Sequence, residues 1–107
     1  MQTDDIIQSL YKVILDRKAN PAENSYTTSL MVKGIDKILK KVGEEASELI
    51  IAGKGGERQE IVHESADLIF HLLVLLGFHD IDPEEVYAEL GRRFGVSGIE
   101  EKGSRVK

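Results

Sequence analysis

Two groups of acids, Glu44-Glu45-x-x-Glu48 and Glu64-x-x-Asp67, stand fifteen residues apart on either side of Gly53, Gly55 and Gly56. Carboxylates three or four residues apart project from one side of a helix, about one turn apart. Glycines supply the positive φ that a tight helix end requires. A short connection makes the helices on its two sides antiparallel neighbours. The pattern therefore predicts a helical hairpin that aims both acid groups into one space. Like charge crowded in that way is costly, and it raises carboxylate pKa values unless a cation neutralises it.

The helix before the glycines is the clearest in the chain. Ile35, Ile38, Leu39, Val42, Ala46, Leu49 and Ile50 recur at helical spacing and predict a buried seam. At about 100° per residue, Glu45 falls at the edge of that seam and Glu48 just beyond it, with Glu44 further out. Glu45 and Glu48 are thus the better ligand pair and Glu44 a supporting group. Gly53, Gly55 and Gly56 are expected to end this helix. The next one, from near Glu57 to Phe78, carries Glu60, Glu64, Asp67 and His71 on one stripe. Beyond them it is apolar on every side through Ile69, Phe70, Leu72, Leu73, Val74, Leu75 and Leu76. All-round apolarity requires all-round cover, and a chain of 107 residues has few elements to supply it. A homodimer is expected.

The remaining segments also read as helices. Thr3 is placed to cap a first helix with Ile6, Ile7, Leu10, Val13 and Ile14 on its apolar stripe, fading near Lys18 to Pro21. Ser25 is placed to cap a short helical stretch through Leu30 and Met31 that breaks at Gly34. A last helix starts with Asp82 as cap, Pro83 in the first position and Glu85 completing a capping box. Its inner face is Val86, Leu90 and Phe94, and Gly91 inside it costs ~1 kcal/mol relative to Ala. No period-two strand pattern is present. The expected fold class is all-α: an antiparallel bundle of about four to five helices. It forms one domain over residues 1–107, completed by homodimerisation.

Composition narrows the function. A formal net charge of -5 argues against a general nucleic-acid partner, which needs basic excess. With no Cys there is no disulfide or thiolate ligand, which fits a reducing cytoplasm. The first twenty residues lack the basic start and apolar run of a signal peptide. Leu68 to Phe78 is nearly all apolar but short of the ~20 residues that span a bilayer. Buried core and no membrane are expected.

Hard carboxylate oxygens in this number suit Mg²⁺, which favours octahedral oxygen coordination and completes its shell with water and phosphate oxygens. A cation held there would neutralise charge on a phosphoryl group and help deprotonate an attacking water. A carboxylate not engaged with metal could take that proton. Glu45, Glu48, Glu64 and Asp67 are the candidate metal ligands, with Glu44 beside them.

Longer stretches carry a resemblance. Ser25-Tyr26-Thr27-Thr28-Ser29-Leu30, Gly34-Ile35-Asp36-Lys37-Ile38 and Lys40-Lys41-Val42-Gly43-Glu44-Glu45-Ala46-Ser47-Glu48 are similar to the phosphoribosyl-ATP pyrophosphatase family. So are His63-Glu64-Ser65-Ala66-Asp67-Leu68-Ile69-Phe70-His71 and Arg92-Arg93-Phe94-Gly95-Val96-Ser97-Gly98-Ile99-Glu100-Glu101-Lys102. The acidic motifs alone resemble the wider MazG-like all-α nucleoside triphosphate pyrophosphohydrolases. The Ser-Tyr-Thr stretch and the Ser-Gly-Ile-Glu-Glu-Lys tail narrow the match. The resemblance implies Mg²⁺-dependent hydrolysis of 1-(5-phosphoribosyl)-ATP to the AMP form and pyrophosphate, the second step of histidine biosynthesis. It also implies a helical dimer in the cytoplasm and, without a Cys-bearing zinc partner domain, the stand-alone form.

On that expectation Lys37, Lys40 or Lys41 would neutralise phosphate oxygens. Arg92, Arg93, Lys102 or Arg105 would hold the ribose phosphate. Tyr26 would stack on adenine or pack in the core. His71, one turn after Asp67, is expected as a hydrogen-bonded core residue, with a bond to the Asp67 carboxylate as the alternative. His63 and His79 carry no signal above surface or helix-end positions. Two rival readings are a house-cleaning (d)NTP pyrophosphohydrolase of the same fold and a non-catalytic dimeric helical adaptor.

Overall fold

The computed structural model describes residues 6–94. Thr3, Lys102, Arg105 and the tail motif lie outside the described residues. Five helices follow one another, with no strand among the described residues: α1 (Ile6–Ala19), α2 (Tyr26–Lys33), α3 (Ile35–Gly55), α4 (Arg58–Phe78) and α5 (Pro83–Phe94). The all-α bundle is as expected.

Local chemistry sets the boundaries. Ser25 Oγ accepts from the Thr28 N–H at 3.0 Å, and Thr28 Oγ1 accepts from the Ala22 N–H at 3.0 Å, fastening the loop onto α2. Gly34, at φ 96°, closes α2 by donating to the Leu30 carbonyl, and its own carbonyl accepts from Ile38 to open α3. The expected glycine stop is sharper than the sequence suggested. Gly53 and Gly55 remain helical, and only Gly56, at φ 80°, takes the left-handed conformation that ends α3. The reason is that intrahelical bonds hold until one residue must reverse the chain, and a single glycine suffices. Glu57 then caps α4, its carboxylate accepting from the Glu60 N–H at 2.9 Å. So tight a connection makes α3 and α4 a hairpin.

The core forms where α1, α2, α3 and α4 meet, on Tyr11, Ile14, Leu30, Ile38, Leu73 and Val74. Burying each such aliphatic side chain contributes about 1.5–3 kcal/mol. Tyr11 is inside, its hydroxyl donating to the Ile81 carbonyl at 2.6 Å, whereas Val13 of the expected stripe is exposed. A tyrosine can occupy a core when its hydroxyl finds a partner. Gly77 lets α4 approach α1, since a Cβ there would lie 3.0 Å from Ile14 Cγ2. Lys18 crosses from α1 to cap α4, donating to the carbonyls of Gly77 at 3.0 Å and Phe78 at 2.9 Å and to Asp80. Lysine is well placed there, at the negative end of the helix dipole.

The inner line of α3 differs from the expected seam. Ile38, Glu45 and Ala52, seven residues apart, are the buried positions, while Leu39 and Ile50 face outward. Apolar residues on α3 cover more than one face, and periodicity alone does not say which face meets α4. Asp82 opens α5 by accepting from the Glu84 N–H at 2.8 Å, and the Glu85 N–H goes to the Asp82 carbonyl instead of its side chain. Val86, Leu90 and Phe94 stay substantially exposed in the protomer. Val86 and Leu90 line a wholly apolar groove of about 350 Å³ against Ile69, Leu72 and Leu76 of α4. By length and composition α4 could cross a bilayer, with a mean hydropathy of 1.6 in its most apolar stretch. It packs instead against α1, α2 and α3.

Candidate metal centre

Glu45 lies on the inner line of α3, a position otherwise given to Ile38 and Ala52, and is only 6% exposed. A carboxylate there is expensive unless charge and hydrogen bonds compensate it. Its Oε2 is 3.5 Å from Lys41 Nζ, and that ammonium also reaches Glu44 Oε1 at 3.3 Å. The bond to Glu44 raises the Lys41 pKa, which keeps the ammonium charged. Glu45 Oε1 is enclosed and has no hydrogen-bond partner among the described residues.

Across the hairpin, Glu64 Oε1 is in the same condition. Carboxylate oxygens of Glu45, Glu48 and Glu64 lie within 4.8 Å of one another. Enclosure, and next the carboxyl of Glu48 beside it, raise the Glu64 pKa, with His63 opposing them. A second group shares Glu64: ligand atoms of His63, Glu64 and Asp67 also fall within 4.8 Å. His63 Nε2 is 3.3 Å from Asp67 Oδ2. Glu48, Glu60, His63 and Glu64 border a cleft of about 410 Å³ that admits solvent to the acids.

The four expected ligands thus divide. Glu45, Glu48 and Glu64 converge, and Asp67 meets Glu64 on the other side with His63. Glu44 stays at the rim on Lys41. His63 was passed over in the sequence, although its place four residues before Asp67 put it on the acid stripe of α4. The all-carboxylate group of Glu45, Glu48 and Glu64 fits a hard divalent cation, whereas the His63 imidazole of the second group is a softer donor. Two enclosed anionic oxygens lack a donor, and Lys41 reaches only the other oxygen of Glu45.

His71 is 4% exposed. Its Nδ1 bonds to the backbone carbonyl of Asp67 at 2.8 Å rather than to the carboxylate, and its Nε2 pairs with the Tyr26 hydroxyl at 2.8 Å. It is a hydrogen-bonded core residue, as expected. Burial raises the Tyr26 pKa; Lys41 opposes the shift, and Glu45, Asp67 and Glu44 add to it. Lys41 is the lysine paired with the acids, whereas Lys37 and Lys40 form no ion pair with them among the described residues. Arg92 and Arg93 both bond Glu89 on α5, a helix that packs on α1, and are not brought to the acid cluster.

Fold and donor set together define a class: an all-α protein with a carboxylate centre built across a helical hairpin. Within it, the chain belongs to the phosphoribosyl-ATP pyrophosphohydrolase family, whose model matches residues 7–94. It is 71% identical over 102 residues to the phosphoribosyl-ATP pyrophosphatase of Geotalea daltonii, covering 95% of this chain and 96% of the relative. It is 68% identical over 106 residues to that of Geobacter metallireducens, covering 99% and 97%. The phosphoribosyl-ATP pyrophosphatase of Methylococcus capsulatus is 52% identical over 101 residues, covering 94% and 96%. The chain is an enzyme, a hydrolase of this family.

Proposed function

We propose that this chain hydrolyses 1-(5-phosphoribosyl)-ATP to 1-(5-phosphoribosyl)-AMP and pyrophosphate with Mg²⁺, the second step of L-histidine biosynthesis, in the cytoplasm. The activity for which its relatives are named supplies the substrate. The observation that carries the chemistry is the pair of enclosed oxygens, Glu45 Oε1 and Glu64 Oε1, which face a shared space without a donor among the described residues.

Glu45, Glu48 and Glu64 would hold one cation, and Glu64 with Asp67 would offer oxygens to a second. Bound Mg²⁺ supplies charge neutralisation at phosphate oxygens and acidifies a water. The chain's own residues do the rest. Glu44 keeps Lys41 charged and beside Glu45, where its ammonium offsets phosphate charge. A carboxylate left free of the cation accepts the proton of the attacking water. Lys37 and Lys40 extend the basic rim for the triphosphate. Lys102 and Arg105, with Arg92 and Arg93, are the groups we assign to the ribose phosphate. A second copy of the chain covers the apolar groove between α4 and α5.

The test is pyrophosphate release from phosphoribosyl-ATP with and without Mg²⁺, beside a panel of ordinary (d)NTPs and the Glu48→Ala and Asp67→Ala variants. Metal-dependent release fastest with phosphoribosyl-ATP, and lost in both variants, is the expected result. Faster turnover of any ordinary NTP would overturn the substrate assignment. No metal-dependent release at all would leave a non-catalytic helical protein.

A further inference from the structure

Tyr26 opens α2, and three contacts hold its ring. Phe70 stacks on it with centroids 6.1 Å and planes 25° apart. His71 stands edge-on at 5.7 Å and 82°. The third contact is the hydroxyl, 2.8 Å from His71 Nε2. The direction of that bond follows from its neighbour. The Asp67 carbonyl can only accept, so Nδ1 of His71 carries a proton; in the neutral imidazole Nε2 is then the acceptor and the tyrosine donates.

Despite these restraints Tyr26 is 48% exposed. Glu44, Glu45, Asp67 and Lys41 all act electrostatically on its hydroxyl, which sets the ring beside the acid cluster. Full burial would explain the three restraints, and a purely surface role would explain the exposure. Neither explains both. A ring already ordered, with surface left open beside a charged cluster, is a preorganised stacking surface, because immobilising it costs nothing further on binding.

The chemistry of the occupant follows if the reading of the previous subsection holds, and the inference rests on it. The substrate's purine is substituted at N1. That substitution makes the exocyclic nitrogen imine-like and far more basic than in adenine, so the base is largely a cation near neutral pH. The adenine of ATP is neutral there. A cation over the face of a tyrosine gains an attraction that a neutral ring does not.

We propose that the open surface of Tyr26, with its hydroxyl fastened by His71, is the purine platform and selects a cationic, N1-substituted adenine over an ordinary one. Tyr26 is then a specificity determinant. The acids hold the phosphate end, and this ring reads the base.

N1-methyl-AMP and AMP are the probes, since they differ in that charge and have no pyrophosphate to lose. They are titrated with Mg²⁺ into the wild type, Tyr26→Phe and Tyr26→Leu. Binding is followed by the Tyr26 ring resonances and by calorimetry. The wild type is expected to prefer N1-methyl-AMP by roughly 3- to 30-fold. Tyr26→Phe, which keeps the ring, retains a preference, and Tyr26→Leu brings the ratio to about one. A ratio is insensitive to the fraction of folded protein, so a partly unfolded leucine variant still reports. Equal binding by the wild type, an undiminished ratio in Tyr26→Leu, or ring resonances that stay still because a second copy covers them would each overturn the proposal. Failure to hydrolyse phosphoribosyl-ATP would count against the function proposed above and leave this binding result standing.

Discussion

Glu45 on α3 and Glu64 on α4 face one another across the hairpin, and each leaves its Oε1 enclosed with no donor among the described residues. Both have Glu48 as a further negative neighbour. A site of this kind lowers the stability of the metal-free protein and gains on binding a cation. Glu64→Gln should therefore raise the melting temperature of the metal-free protein by about 2–5 °C. Saturating Mg²⁺ at 100 times its Kd stabilises a protein by about 2.7 kcal/mol. In the wild type that corresponds to a rise of ~10 °C, and in Glu64→Gln at least half of it should vanish. A thermal melt that Mg²⁺ leaves unmoved in the wild type would remove the metal centre.

Glu89 gives a separate pH signature. It accepts from Arg92 through Nε at 3.1 Å and Nη2, and from Arg93 Nε at 2.7 Å, and the two arginines hold its pKa at about 2 against an ordinary 4.5. A depressed carboxylate contributes stability that is present above its unfolded value. That stability is lost as pH falls through the folded one. The relevant window runs from 4.5 down to about 2. The group is exposed, so solvent screens the effect and it should be small. At pH 7, Glu89→Gln should melt ~1–2 °C below the wild type, and the two curves should converge near pH 2. A difference that does not shrink across this window would deny the two arginines their role.

Two glycines in helices are expected to respond to alanine with opposite signs. At Gly77 the new Cβ would meet Ile14 Cγ2 at 3.0 Å, Met31 Cε at 3.5 Å and Tyr11 Cε1 at 3.6 Å. Ile14 is fully buried and has nowhere to go. Overpacking of ~1–3 kcal/mol should exceed the ~1 kcal/mol that alanine gains in helix propensity. At Gly91 nothing lies within 4 Å among the described residues, so Gly91→Ala should stabilise by up to ~1 kcal/mol. Urea denaturation of both variants decides the signs. Destabilisation by Gly91→Ala would mean that this face of α5 is covered.

Much of this arrangement could be read from residue order, and the failures have one cause. Ser25, Gly34, Gly56 and Asp82 mark helix ends through chemistry that acts within a few residues, and each sits at an end in the structure. Which face of a helix turns inward depends on partners distant in sequence. Val13 was expected inside and Tyr11 was not, because the Ile81 carbonyl that satisfies the Tyr11 hydroxyl lies seventy residues away. Glu45 was placed at the edge of the α3 seam and lies in its middle, where hydrophobic periodicity does not account for a buried acid. His63 escaped notice for a similar reason. Its spacing to Asp67 was visible, but Glu64 joins that pair to Glu45 and Glu48 only once the hairpin folds.

The groove between α4 and α5 carries the last expectation. Its lining includes Ile69, Leu72 and Leu76 from one helix and Val86, Tyr87 and Leu90 from the other. Leu72 is 41% exposed and Leu90 52%, so either can take a charged side chain without breaking the protomer's own core. If a second copy fills the groove, Leu72→Asp should place a carboxylate in an apolar interface. The loss of apolar burial alone approaches 3 kcal/mol, enough to weaken association by ~100-fold. Sedimentation at micromolar concentration should find a wild-type dimer and a monomeric Leu72→Asp variant. Helical circular dichroism should be unchanged between them, and Leu90→Asp should behave alike from the opposite wall. A wild type that sediments as a monomer at high concentration would rule out self-association through this face. Dimers that persist in both variants would place the contact elsewhere, with the exposed Ile50, Ile51 and Val62 the next surface to examine.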